Sequence, residues 1–257
     1  MPESVLFWIV AATAVAIVGL SKSGLGGGVG MVAVPMLSLV MSPRDAAGMM
    51  LPLLLVMDAI AVWTYRRDAD WNIIRIMVPG AAIGTLLGWF LWASISDAAV
   101  LLVVGIISLL FVLDSVFPIR KRLVGRPPSR PWGTFWGAVA GTTSFVSHAG
   151  GPPYQIYVLP RRLPPVNYAA TTAWFFAIVN AMKLPPYFML GQLSVSNLTL
   201  GALLAPVAVA GVLLGVLAVR RIPVTLFYRI AYALIFLLSL KMIHDGITGL
   251  IAGPPAT

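Results

Sequence analysis

The sequence predicts an all-α polytopic membrane protein made of two inverted repeats. Each repeat holds three spans plus a broken or re-entrant helix pair, giving eight to ten membrane segments. Three observations carry this: an apolar composition, long unbroken apolar runs, and glycine/proline breaks at matching places in two halves. Of 257 residues, 60% are hydrophobic and only 10% charged, with a mean hydropathy of +0.96. A soluble domain needs about a quarter charged residues to cover its surface. A hydrocarbon core takes roughly 20 apolar residues per helix, so the chain is filled by spans and short loops. The runs do not alternate in polarity, so helices rather than barrel strands are expected.

Composition also excludes several functions. There is no cysteine, so disulfides, thiol catalysis and thiolate metal sites are out. With two histidines and no ligand cluster in the sequence, neither a metal nor any other cofactor is expected. The net charge of +9 lies in short basic clusters between apolar runs. That pattern sets topology and contacts lipid, and it does not point to nucleic acid. The first apolar run has no charged region before it and no A-x-A site close behind, so it reads as a retained span.

In chain order, the first run covers residues 5–20 and ends in Ser21-Lys22-Ser23-Gly24-Leu25-Gly26-Gly27-Gly28. A short run at 31–41 contains Pro35, and a longer one at 46–65 carries Pro52 and Asp58. Spans follow at 73–93 and 98–117, then a basic loop from Arg120 to Arg130. The second half opens at 132–145 and breaks at Ser147-His148-Ala149-Gly150-Gly151-Pro152-Pro153. A short segment at 154–159 precedes Arg161-Arg162. Then come 166–182, an expected break at Pro185-Pro186, 198–219, Arg220-Arg221 and 226–243. The organisation is a first repeat at 1–118, a linker at 119–131 and a second repeat at 132–257.

The halves share an ordered set of small residues. Pro79, Gly84 and Gly88 are spaced as Pro206, Gly211 and Gly215. Gly27-Gly28 falls opposite Gly150-Gly151, and Asp58 opposite Asn180, at offsets between 122 and 127. Such periodic self-similarity marks duplication. With Arg66-Arg67, the 120–130 loop, Arg161-Arg162 and Arg220-Arg221 placed in the cytoplasm, equivalent spans run in opposite directions. An odd number of passes per repeat inverts it, and inverted repeats with paired broken helices point to a secondary transporter.

The breaks are the expected substrate site. Glycine runs let the backbone bend and expose N–H groups, which at membrane depth must line a cavity. Half-helices starting at Gly28 and near Pro153 would aim positive dipole ends at an anion. The candidates are Ser21, Lys22, Ser23, Gly26, Gly27, Gly28, Ser144, Ser147, His148, Gly150 and Gly151, with Thr142 and Thr143 as further hydroxyl donors. His148 gives positive charge only when protonated, which makes it a candidate proton carrier. Asp58 is costly inside an apolar run, and such residues are usually functional, so it is the other proton candidate. Asn180, its repeat mate, hydrogen-bonds without titrating. Each feature has a plainer alternative: helix packing for the glycines, snorkelling for Lys22, and structural roles for His148 and Asp58.

The stretches Gly19–Gly24, Gly26–Gly28 leading to Val34-Pro35, and Ser147–Gly151 resemble the TauE/SafE family of sulfite exporters and sulfonate permeases. The resemblance implies an all-helical duplicated fold and transport of sulfite, sulfonates or related organosulfur anions across a bacterial inner membrane. The coupling ion on this reading is a proton or, alternatively, sodium. An anion channel and an intramembrane enzyme compete with it. Ser147 and His148 are adjacent, so their side chains diverge and do not form a nucleophile–base pair by themselves. Reporter fusions at residues 120–130 and 160–165 are expected to lie on the same side of the membrane. Opposite sides would refute the topology.

Overall fold

The structure, a computed structural model, describes residues 4–22, 29–117, 129–218 and 224–252. It is all-helical among these residues. The first half holds α1 (Val5–Lys22), a 3-10 turn (Val29–Val32) continuing into α2 (Ala33–Leu37), α3 (Pro43–Tyr65), α4 (Trp71–Ser94) and α5 (Asp97–Val116). The second holds α6 (Arg130–Ser147), α7 (Gly151–Val158) with a 3-10 turn (Leu159–Arg161), α8 (Pro165–Met189), α9 (Val195–Ala218) and α10 (Val224–Ala252). Both halves thus follow one order: a long helix, a break, a short helical piece, then three long helices.

Local sequence explains where helices begin. Ser42, Asp70, Ser96 and Ser129 each cap a helix by accepting a backbone N–H in its first turn, which satisfies donors that have no helical partner. Pro43 and Pro131 sit in first turns, where their missing N–H costs nothing. Among the described residues, six helices are long and apolar enough to cross a membrane: α1, α3, α4, and the stretches Asp97–Asp114, Val195–Gly215 and Tyr232–Ala252. Helix α8 is longer than several of these, at 25 residues, but buries Asn180 and Lys183. The short pieces are not spans. At 1.5 Å per residue, the 8 residues of α7 reach only ~12 Å.

Three expectations need correction. Pro185-Pro186 does not break the chain, because α8 runs through both prolines to Met189. The prolines remove two ladder donors, while Tyr187 Oη donates to the Phe145 carbonyl at 2.6 Å and holds this turn against α6. The last helix continues past 243 to Ala252, so His244-Asp245-Gly246 lies within it, and Asp245 pairs with Lys241 one turn back. Finally, α6 begins at Arg130, inside the region assigned to the linker.

The halves cross-pack rather than sit apart. Helices α4 and α6 run parallel in close contact. A Cβ on Gly80 would meet the Thr134 carbonyl, one on Gly84 the Ala138 carbonyl, and one on Gly141 the Ala81 carbonyl. Thr142 Oγ1 donates to the Gly84 carbonyl across the same seam at 3.0 Å. Helix α1 meets α9 in the same manner, Gly19 against Gly211. Lipid tails are as apolar as leucine, so membrane helices associate through such close packing and hydrogen bonds. Helices α5 and α10 are antiparallel, with Gly246 on Leu102 and Gly105 on Ile243.

Two ends of the molecule can be told apart. At one, Asn167 Nδ2 donates to the Asp68 carbonyl at 2.8 Å and Asp70 N–H to Thr171 Oγ1 at 2.9 Å, which brings Arg66-Arg67 beside the start of α8 and Arg161-Arg162. At the other, Arg44 bonds Asp97 and the Ile95 carbonyl, and Asn197 Nδ2 donates to Asp45 at 3.1 Å. Trp63 is exposed, whereas Trp92 is fully buried against Phe145.

Gly84→Ala should force α4 off α6 and cost about 1–3 kcal/mol, the range for overpacking. Thermal unfolding in detergent should show it as a lower midpoint. Gly201→Ala, whose Cβ would stand 3.3 Å from the Met49 carbonyl, should fall less. Equal midpoints for both variants would contradict the α4–α6 contact.

Candidate functional site

The site lies where the two breaks meet. The ends of α1 and α6, the first residues of the pieces that follow, and residues along α3 and α8 surround one cavity, part of it open to the outside. Ser21, Lys22 and Gly30 come from the first break, Ser144, His148 and Gly151 from the second, and Asp58 and Asn180 from the crossing helices. Helices α3 and α8 cross in antiparallel sense, since Asp68 meets Asn167 at one level and Asp58 meets Asn180 at another.

Asp58 is 2% exposed, and an isolated carboxylate there would carry a large desolvation cost. Two partners offset it. Lys22 Nζ bonds Oδ1, and Asn180 Nδ2 donates to Oδ2 at 2.6 Å. Asp58 and Asn180, 122 positions apart, therefore touch. Lys22 is not snorkelling to an interface. Its ammonium faces the cavity, with 17% of the side chain exposed.

His148 ends α6 in the left-handed conformation, φ 55°, a backbone state that suits glycine and is uncommon for histidine. Its N–H returns to the Ser144 carbonyl at 3.0 Å and that of Ala149 to Thr143 at 3.2 Å, closing the helix end as a left-handed cap does. The ring is held on both sides. Lys183 Nζ stands 2.7 Å from Nδ1, and Nε2 is 3.0 Å from the Ala47 carbonyl. A lysine can only donate and a carbonyl can only accept. The network therefore assigns the neutral tautomer, with Nδ1 accepting and Nε2–H donating. His148 gains a second proton only by giving up the bond from Lys183.

Lys183 is fully buried and also donates to the Ser144 carbonyl at 3.1 Å and to Ser144 Oγ at 3.2 Å. It stands behind the cavity wall, bonded to Ser144 and His148, which line the cavity. Sequence reading overlooked it because it lies next to the assumed break at Pro185-Pro186. One signal was available: Lys183 is three residues from Asn180, on the same helical face.

A model of the family described as Sulfite exporter TauE/SafE matches residues 11–242. The chain belongs to this family. It is a multi-pass membrane transporter and not an enzyme. Comparison with curated proteins and with solved structures gives no match.

Within this TauE/SafE protein the other expected residues divide three ways. Ser23, Gly26, Gly27 and Gly28 lie outside the described residues. Ser147 is a correction: its hydroxyl turns back to the Thr143 carbonyl at 3.4 Å, and it does not line the cavity. Thr142 and Thr143 likewise bond helix carbonyls. Gly150 stands one layer back, where a Cβ would press on the Phe176 ring and Ser144. The second short helix starts at Gly151, two residues before the expected Pro153. No group of three metal-ligating side chains occurs among the described residues.

Removing one member of a buried ion pair is worse than removing both. Asp58→Ala should therefore lower stability by about 2–4 kcal/mol, somewhat under the fully buried range because Lys22 meets the cavity. The double variant Asp58→Leu with Lys22→Met should recover much of it. Thermal midpoints of the ligand-free protein would decide this, and additive losses would sink the pairing.

Proposed function

We propose that the protein is a secondary transporter that moves sulfur-containing small anions, such as sulfite, sulfonates or related organosulfur anions, across the bacterial inner membrane. The observation that carries the reading is the pair of lysines at the cavity: Lys22 lines it beside Asp58, and Lys183 stands behind Ser144 and His148. An anion entering this site meets the Lys22 ammonium and hydroxyl donors from Ser21 and Ser144. Lys22 and the serines bind the anion's oxygens, and Gly151, at the start of α7, adds its single backbone N–H, since Pro152 and Pro153 after it carry none.

Coupling follows from competition for Lys22. While Asp58 holds that ammonium, the anion cannot claim all of it. A proton on Asp58 releases Lys22 to the anion, and departure of the proton returns Lys22 to the carboxylate. Asn180 keeps a hydrogen bond to Asp58 in either state by rotating its amide. His148 is the second candidate to carry a proton, and sodium is the alternative coupling ion.

The transport cycle on this reading is alternating access between two inverted repeats. Matching element order, the antiparallel crossing of α3 with α8, and the matched seams α4–α6 and α1–α9 support it. The cavity lining reaches Tyr168 and Ala169 in the first turns of α8, close to the arginine-rich end. With that end in the cytoplasm, this is the inward-facing arm of the cycle, closed on the far side by His148 against Ala47.

The test is uptake of radiolabelled sulfite and a short sulfonate into proteoliposomes, with and without an inward proton gradient. Saturable, gradient-accelerated uptake is expected. Lys22→Gln should abolish it, and Asp58→Asn should keep saturable uptake while losing the acceleration. Uptake by Lys22→Gln equal to the parent would overturn the assignment of Lys22. Dependence on sodium with no response to the proton gradient would replace the coupling ion.

A further inference from the structure

Helix α10 carries charge on a face that the rest of the chain leaves open. Through the middle of α4 and α9 the exposed large side chains are apolar, such as Leu86, Leu87 and Phe90 on α4 and Leu203 and Leu213 on α9, as contact with lipid requires. The exposed face of α10 is apolar on either side of a short band, with Leu237 and Leu240 before it and Ile247 and Ile251 after it. The band holds Lys241, His244 and Asp245. Lys241 bonds Asp245 one turn on, with 55% and 39% of the side chains exposed, and 75% of the His244 side chain is exposed. The described residues leave the band largely uncovered.

The band lies at membrane depth. Helix α10 runs toward the end of the molecule marked by the Arg44–Asp97 pair and the Asn197–Asp45 bond. Helix α5 starts at that end with Asp97. A Cβ on Gly105 would meet Ile243 and the Ser239 carbonyl, which puts Lys241 level with Gly105. That is ~12 Å below Asp97 at 1.5 Å per residue. Gly246 meets Leu102 and Ala98, so Asp245 lies ~6 Å below Asp97 by the same rise. Charge at such depth is costly against lipid, and ionisable residues there nearly always face protein.

We propose that this face of α10 docks on α10 of a second copy, in a twofold dimer where Lys241 meets the partner's Asp245 and Asp245 meets the partner's Lys241. Copies of one membrane protein insert in the same orientation, so the twofold axis lies along the membrane normal and the face meets itself. Such a contact needs a self-complementary patch, and one cation with one anion a turn away on the same face provides it. The pair exchanges a lipid surrounding for a ring of four alternating charges, with leucine and isoleucine packing above and below it. A helix of another protein would need the same two charges at the same two heights. The contact is independent of what the cavity carries, since none of the described residues of α10 lines it.

The test starts from subunit counting of the fluorescently tagged full chain in lipid vesicles at low protein density, where dimers are expected. The chain has no cysteine, so one introduced thiol reports on one place. His244→Cys should crosslink two copies on oxidation, and Leu87→Cys, on the open face of α4, should not. Lys241→Glu and Asp245→Lys should each weaken self-association about tenfold or more, because like charges then face each other. Co-expressed with different tags, those two variants should copurify as a heterodimer, although neither chain keeps its own Lys241–Asp245 pair. Monomers of the parent chain in vesicles, or equal crosslinking at positions 244 and 87, would overturn the proposal. So would a dimer that both charge variants leave intact. The counting and crosslinking decide the matter even if a charge variant fails to fold.

Discussion

Everything at the centre of this molecule depends on neutralising one carboxylate inside a membrane. Asp58 is buried among apolar helices, where an unpaired charge would be expelled or neutralised. Its two partners come from different places: Lys22 from the end of α1 and Asn180 from the middle of α8. Satisfying Asp58 therefore ties the first break to α3 and α3 to the second half. The cavity lies next to this junction because the lysine that neutralises the carboxylate also ends a helix, and a helix end inside the bilayer needs a polar, protein-lined place to terminate.

That arrangement is reached through close packing. Glycines on α4 and α6 let those helices approach until carbonyls nearly touch Cα atoms, and Gly19 and Gly211 do the same for α1 and α9. These seams place each broken helix against a long helix of the other half. The short pieces then fill the remaining depth without crossing it. The result is a pair of breaks that face each other across one space, although they are more than a hundred residues apart in the chain.

The two halves are alike in scaffold and unlike in charge. Small residues and the polar pair Asp58 and Asn180 recur in register. The cations do not: Lys183 falls opposite Ala61, and Lys22 has no lysine at the corresponding place near Phe145. Each half supplies one lysine from a different helix, one paired with a carboxylate and one with a histidine and a serine. Unmatched charge gives the site a sign, and it gives only one of the two lysines a carboxylate to exchange with.

Several features were legible in the sequence. Hydropathy and charge identify the membrane class and the long helices because each span must satisfy its backbone internally and show an apolar surface. The Gly150-Gly151-Pro152-Pro153 stretch locates the break between α6 and α7, and an aspartate amid apolar residues flags itself. The sequence did not reveal what depends on which atoms meet. Pro185-Pro186 looks like an ending and is not, because contacts to α6 hold that turn. Ser147 reads as a cavity residue in the sequence, but the helix period turns its hydroxyl back to Thr143 and away from the cavity lining. Lys183 is hidden in an apolar run until α6 and α8 are packed together and its charge reaches Ser144 and His148. The sequence by itself determined the class, the span pattern and the places where helices break, since these follow from local hydropathy and backbone chemistry. The tertiary structure alone decided which side chains share the cavity, since that depends on helix rotation and close approach between residues far apart in the chain.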